Sequence, residues 1–208
     1  MATDRTDHPL ERLVFFSDAV FAIAITLLVI EIHPPHVDQE GFQPTLQALA
    51  RLIPQFAGFV VSFAVIGAFW AGHHRAFSLA GRLGPGIVPW NLALLGSIAF
   101  MPFVTGFMSG NYMNAGPAAV YWGWLLVTGL LNLRVNSLAT GPGMRAEGVT
   151  AAQAADIPRR SRAVILAALT ALAISQWRPW LGPFGMVSIP LWLWLLRRLA
   201  RPAAPAEA

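Results

Sequence analysis

The 208-residue chain has no cysteine, which excludes disulfides, thiolate metal centres, iron–sulfur clusters and cysteine nucleophiles. It has no lysine either: all 14 basic residues are arginine, so covalent chemistry on a lysine amine is absent. Charged residues are scarce, at 12% of the chain, where a soluble domain carries about 25%. Three hydrolytic or nucleotide-binding signatures are also missing: Gly-x-Ser-x-Gly, His-Glu-x-x-His and a phosphate-cradling glycine loop. The only tyrosines, Tyr112 and Tyr121, have no Thr-Val-Gly-Tyr-Gly context, so a carbonyl-lined potassium filter of the usual kind is excluded. The chain reads as a non-enzyme without a cofactor. What is abundant is apolar, at 56% hydrophobic residues. That balance fits neither a soluble globular domain nor a disordered chain, and it points to a small membrane protein.

A helix crossing the roughly 30 Å hydrocarbon core needs about 20 mostly apolar residues. Six stretches are read as spans: 13–32, 52–72, 87–108, 117–139, 160–177 and 180–199. The last two are shorter in apolar content and reach full length by drawing in flanking arginines, whose stems can snorkel. Alternation of period two is absent, which argues against a β-barrel. The first span is too long for a signal peptide, and His33-Pro34-Pro35-His36 follows where a cleavage site would stand. The expected fold is therefore all-α, with residues 1–208 as one six-helix transmembrane domain and 201–208 as a disordered tail.

Arginine placement sets the orientation, because cytoplasmic loops collect basic residues. Arg5, Arg12, Arg75, Arg82, Arg145, Arg159, Arg160, Arg162, Arg197, Arg198 and Arg201 fall on one side of a six-span topology, and only Arg51 and Arg178 on the other. Both termini are thereby expected in the cytoplasm and the protein in the cell membrane. The formal charge of +4 is an orientation signal and calls for no nucleic acid. Trp122, Trp124, Trp177 and Trp180 are read as an interfacial aromatic belt. The outer loop with His33, His36, Asp38 and Glu40 reads as a solvated acidic loop rather than a metal site.

Asp18 lies inside the first apolar span, where a carboxylate is costly unless paired or hydrated. His73 and His74 close the second span and Asn91 starts the third, so all four fall at a similar depth. Ser17 and Trp70 can add donors to that layer. Two readings compete. One is an ion- or proton-handling site built on Asp18 and a histidine; the other is a hydrogen-bond network that fixes helix packing. The second is favoured, since intramembrane polar residues commonly hold helices together. At about 100° per residue, Ile23, Leu27 and Ile30 share a stripe roughly opposite Asp18, and Thr26 flanks it. Periodicity alone assigns that stripe no more than packing against lipid or protein.

The segment Arg12-Leu13-Val14-Phe15-Phe16-Ser17-Asp18 carries an Arg-x-x-x-Phe-Ser-Asp signature. With Phe69-Trp70-Ala71-Gly72-His73-His74-Arg75 in the second span, and Trp90-Asn91-Leu92 and Pro102-Phe103-Val104-Thr105 in the third, it resembles the bacterial branch of the transmembrane protein 175 family. These are relatives of the lysosomal potassium channel. The resemblance is close over three spans and rests only on helix number and hydrophobicity thereafter. It implies a homotetramer whose first helices line a central pore, with membrane lipids and potassium ions as its other partners. It implies a pore constriction at Ile23, Leu27 and Ile30, and potassium preference at Thr26. It also implies a structural polar network of Arg12, Phe16, Ser17, Asp18, Trp70, His74 and Asn91, with His73 also able to take part. Ala19 departs from the glycine many relatives carry after the aspartate. The expected function is a passive potassium-permeable channel, with proton permeation plausible; the alternative is a proton-coupled transporter using Asp18 and His73 or His74.

Overall fold

The structure, a computed structural model, describes residues 8–37 and 39–200. The disordered-tail expectation for 201–208, and Arg5, Asp38 and Arg201, lie outside them. Among the described residues there are eight α-helices and two 3₁₀ segments. Helix α1 spans His8–Leu27 and tightens into a 3₁₀ turn at Leu28–Glu31, ahead of Pro34 and Pro35, neither of which has the N–H that a helix needs. A short helix α2, Phe42–Ala50, follows in what reads from sequence as an irregular outer loop. Helix α3, Ile53–Ser78, starts with Pro54 in its first turn, where the missing N–H costs nothing.

The third apolar stretch is two helices, α4 at Ile87–Ala99 and α5 at Met101–Ser109. The break falls at Phe100 because Pro102, in the first turn of α5, cannot donate back to the Ile98 carbonyl. Helix α6, Ala115–Ala139, is capped by the Asn114 side chain, which accepts from the Gly116 N–H at 2.9 Å. Helix α7 runs from Ala151 to Trp177, nine residues earlier than the expected span, because Thr150 and Gln153 form a capping box that starts it outside the apolar stretch. The sixth stretch divides into a 3₁₀ segment, Pro179–Ser188, and α8, Ile189–Leu199.

Among the described residues five stretches are long and apolar enough to cross a membrane: Pro9–Glu31, Ile53–Ser78, Ile87–Ser109, Ala115–Ala139 and Pro179–Leu199. Helix α7 is not one of them, since its first half carries Asp156, Arg159, Arg160 and Arg162.

Helices α1, α3, α4, α5 and α6 converge on a core that includes Phe21, Leu28, Ile66, Leu94, Ile98 and Leu125, each at most 1% exposed. Helix α7 packs on α6 and on the 3₁₀ segment. The 3₁₀ segment lies close on both helices: a Cβ at Gly185 would strike the Ala171 backbone of α7, and one at Gly182 would strike the Trp122 indole of α6. At one end of the bundle the α3–α4 and α6–α7 connections are stitched by Gly81 N–H to the Met144 carbonyl (2.8 Å) and Ala146 N–H to the Leu79 carbonyl (3.0 Å).

The aromatic belt requires correction. Trp122 is 0% exposed inside the core, and the Trp124 indole donates to the Ser97 carbonyl at 2.9 Å. Trp177 and Trp180, at 74% and 53% exposed, remain at the surface.

Candidate functional site

Helix α1 has two unlike faces. Ser17, Phe21, Ala24 and Leu28 fall on one side and are each at most 1% exposed. They recur at spacings of three and four, one face of a helix. On the other side Ile23 is 58% exposed, Leu27 40% and Ile30 64%. Thr26 is exposed beside them and donates its hydroxyl to the Ile23 carbonyl at 2.8 Å. The oxygen's lone pairs stay free, so this side presents one acceptor among apolar groups, Phe15, Phe16 and Val29 being exposed on it as well.

The polar layer near the start of α1 forms two separate branches. In the buried branch His73 Nε2 lies 2.8 Å from Asn91 Oδ1, the Asn91 amide donates to Ser17 Oγ at 2.9 Å, and Ser17 donates to the Leu13 carbonyl at 2.7 Å. Because Ser17 gives its only proton to Leu13 and Asn91 gives its N–H to Ser17, Asn91 Oδ1 is an acceptor and His73 Nε2 must carry the proton. The chain of donation runs one way across α3, α4 and α1. His73 Nδ1 is then the unprotonated nitrogen; it is buried without a partner. The ring is held between Phe21, at 5.6 Å between centroids, and Phe77, at 4.4 Å.

The second branch is closer to the surface. The Trp70 indole donates to Asp18 Oδ1 at 2.9 Å, and its ring stacks on His74 at 5.6 Å, the i, i+4 neighbour on α3. This branch pairs the carboxylate that stands out in the sequence with an indole N–H rather than with a histidine.

The structure thus brings Ser17, Asp18, Trp70, His73, His74 and Asn91 into one layer. It places Arg12 and Phe16 apart from it: both are exposed, and Arg12 makes no ion pair with Asp18 among the described residues. Of the two histidines, His73 is the one bonded to Asn91 and His74 the one beside Trp70.

Two further polar clusters stand where the sequence assigned no polar contact, although Thr105 belongs to the Pro102–Thr105 stretch quoted above. Thr105 Oγ1 lies 2.8 Å from Ser62 Oγ, and Ser62 Oγ lies 3.0 Å from the buried Tyr121 hydroxyl. On the other half of the bundle, Asn132 and Asn136 both give an amide N–H to Ser161 Oγ, at 3.4 and 3.0 Å. Their spacing of four residues inside an apolar run was the available signal. Among the described residues no group of three or more histidines and acids could hold a metal ion.

These features define an all-helical, multi-pass membrane protein whose first helix is seated by polar contacts on one side and bare on the other. Residues 12–102 match the family model described as "Endosomal/lysosomal potassium channel TMEM175", and over that stretch the chain is similar to the transmembrane protein 175 channels. A potassium channel of Chamaesiphon minutus is 37% identical over 123 residues, 58% of this chain and 61% of that one. One of Streptomyces collinus is 41% identical over 108 residues, 52% of this chain and 51% of that one. The matched stretches therefore span about half to three-fifths of these curated relatives. The crystal structure of a lysosomal potassium-selective channel TMEM175 homolog from Chamaesiphon minutus superposes with a TM-score of 0.76 at 29% identity. It covers 93% of this chain and 100% of that one, so the likeness in fold extends past the first three spans.

Proposed function

We propose that this protein is a passive, potassium-permeable cation channel of the cell membrane, a homotetramer in which α1 of each subunit faces a central pore. The observation that carries this reading is the bare side of α1, Ile23, Leu27 and Ile30 with Thr26, turned away from a face buried in the subunit core. One subunit offers one such face and cannot enclose a pore with it, so closure requires a ring of copies. The relatives named potassium channels support the permeant ion. The arginine asymmetry supports six spans, α7 included, with both termini in the cytoplasm.

In this reading the aliphatic ring of Ile23, with Leu27 and Ile30 beyond it, is a hydrophobic constriction that closes by dewetting. Thr26 offers an oxygen to the ion one turn on and carries what potassium preference there is. Ser17, Asp18, Trp70, His73, His74 and Asn91 set the rotation of α1 and do not touch the ion. A proton relay through Asp18 and His73 or His74 is disfavoured by the geometry, because His73 sits on the other branch and His74 stacks on Trp70 with no direct hydrogen bond to Asp18.

The test is potassium flux into liposomes holding the purified protein, with valinomycin to set the maximum. Wild-type protein is expected to pass potassium without a proton gradient. Ile23→Asn, which wets the constriction, is expected to raise the flux severalfold and narrow the potassium-to-sodium ratio. Flux no greater than in empty liposomes would overturn the channel reading, and an Ile23→Asn flux and ratio equal to wild type would overturn the constriction.

A further inference from the structure

A crevice of about 390 Å³ opens between α3, α6 and α7, away from the bare face of α1. One wall is the small-residue edge of α3, Ala64, Ala68, Ala71 and Gly72; Val164 and Met186 stand on the other side. At about 390 Å³ it holds less than one turn of a helix, whose diameter with side chains is about 10–12 Å. Its apolar lining gives water few partners. A hydrocarbon chain fits both constraints.

The polar groups gather where α3 ends and α7 begins. Arg75 and Arg160 line the crevice there, with Asn132, Asn136 and Ser161. Asp156, the acid beside them, is already shared by three guanidiniums: Arg160 at 2.6 Å, Arg197 at 3.4 Å and Arg159 at 3.5 Å. Four arginines against one carboxylate leave this end strongly positive, in want of an anion. Asn132 and Asn136, 4% and 1% exposed, spend their N–H groups on Ser161 and leave both Oδ1 atoms without a partner. The same end is therefore short of hydrogen-bond donors as well as of negative charge.

We infer that this crevice is a binding site for an anionic phospholipid of the bilayer with a hydroxyl-bearing head group. One acyl chain lies along Ala64, Ala68, Ala71 and Gly72, and the phosphate sits between Arg75 and Arg160. The head-group hydroxyls, of the kind phosphatidylglycerol carries, are donors matched to the unpartnered amide oxygens. The site depends only on the helices lying in a membrane, not on what crosses the pore.

Native mass spectrometry of the detergent-purified protein tests this with three probes: phosphatidylglycerol, phosphatidylcholine and free glycerol 3-phosphate. Phosphatidylglycerol alone is expected to be retained. An arginine near an anionic head group contributes about fivefold to binding, so Arg75→Gln with Arg160→Gln should cut retention about 25-fold. Ala68→Trp, which fills the slot and leaves the arginines in place, should abolish retention, and it keeps the test intact if the double variant does not fold. Equal retention of phosphatidylcholine, or of phosphatidylglycerol by Ala68→Trp, would overturn the site. Retention of glycerol 3-phosphate would overturn the lipid and leave an anion site only.

Discussion

Each half of the bundle buries a small polar cluster, and the two are wired differently. In the first half His73, Asn91, Ser17 and the Leu13 carbonyl form a single file in which every bond has a fixed direction. In the second half two amides converge on one hydroxyl, and two carbonyl oxygens are left over. The first arrangement ties three helices at one rotation of α1 and loses its logic if any member changes. The second leaves two amide oxygens unsatisfied, where the first leaves only the His73 Nδ1 at its end. A cluster whose bonds all run one way specifies geometry; one with two acceptors left over leaves room for a ligand or for substitution.

The contrast can be broken most directly at its centre. Asn91→Leu removes both middle bonds and leaves the buried His73 Nε2–H without an acceptor, so a loss of about 2–3 kcal/mol is expected. Thermal unfolding of the detergent-solubilised protein measures it, and a loss below 1 kcal/mol would mean the file is not the strong cluster. Trp70→Phe tests the shallower branch by deleting the bond to Asp18 while keeping the ring over His74. With Trp70 41% exposed, the expected loss is nearer 1 kcal/mol.

Asn136→Leu sharpens the comparison from the other side. It removes one N–H···O bond and also an orphaned acceptor, so the change should stay within about 1 kcal/mol. A loss equal to that of Asn91→Leu would erase the distinction.

The smallest effect is expected at Asp156. Partial burial disfavours its charged form, but hydrogen bonds and charge from Arg160, then Arg197, outweigh that and hold the carboxyl below its ordinary range. Its contribution to stability is therefore present above the pKa of the unfolded chain and fades as pH falls through the depressed folded value. Melting temperatures of wild type and Asp156→Asn should differ slightly at neutral pH and converge in acid. A gap that persists in acid would assign the difference to packing.

Much of this was legible in the sequence because a membrane simplifies the reading. An acid in an apolar run stands out against its neighbours, so Asp18 and the depth it shares with His73, His74 and Asn91 could be seen without a structure. Which of them bond to which could not be read, since depth fixes only one coordinate. That is why Arg12 was expected in a layer it does not join. Helix ends outside the apolar stretches were hidden too: the early start of α7 is set by the Thr150–Gln153 cap, and the break at Phe100 by a single proline. Asn132 and Asn136 passed unnoticed because an uncharged amide barely disturbs a hydrophobic run.

Gly106 has a mechanical consequence. A side chain there would occupy the space taken by the Glu31 carboxylate, so the last turn of the first span is lodged in a notch on α5. Ser17 fastens the same rod near its other end, fourteen residues away, or roughly 20 Å along the axis. Ile23 and Leu27 lie between these two fixings. A rod clamped at both ends does not swing like a hinged door; it bows or twists in the middle. Movement at Ile23 would then be torsion or flexure of the midsection, and loosening either fixing would change its stiffness without altering a residue of the proposed constriction.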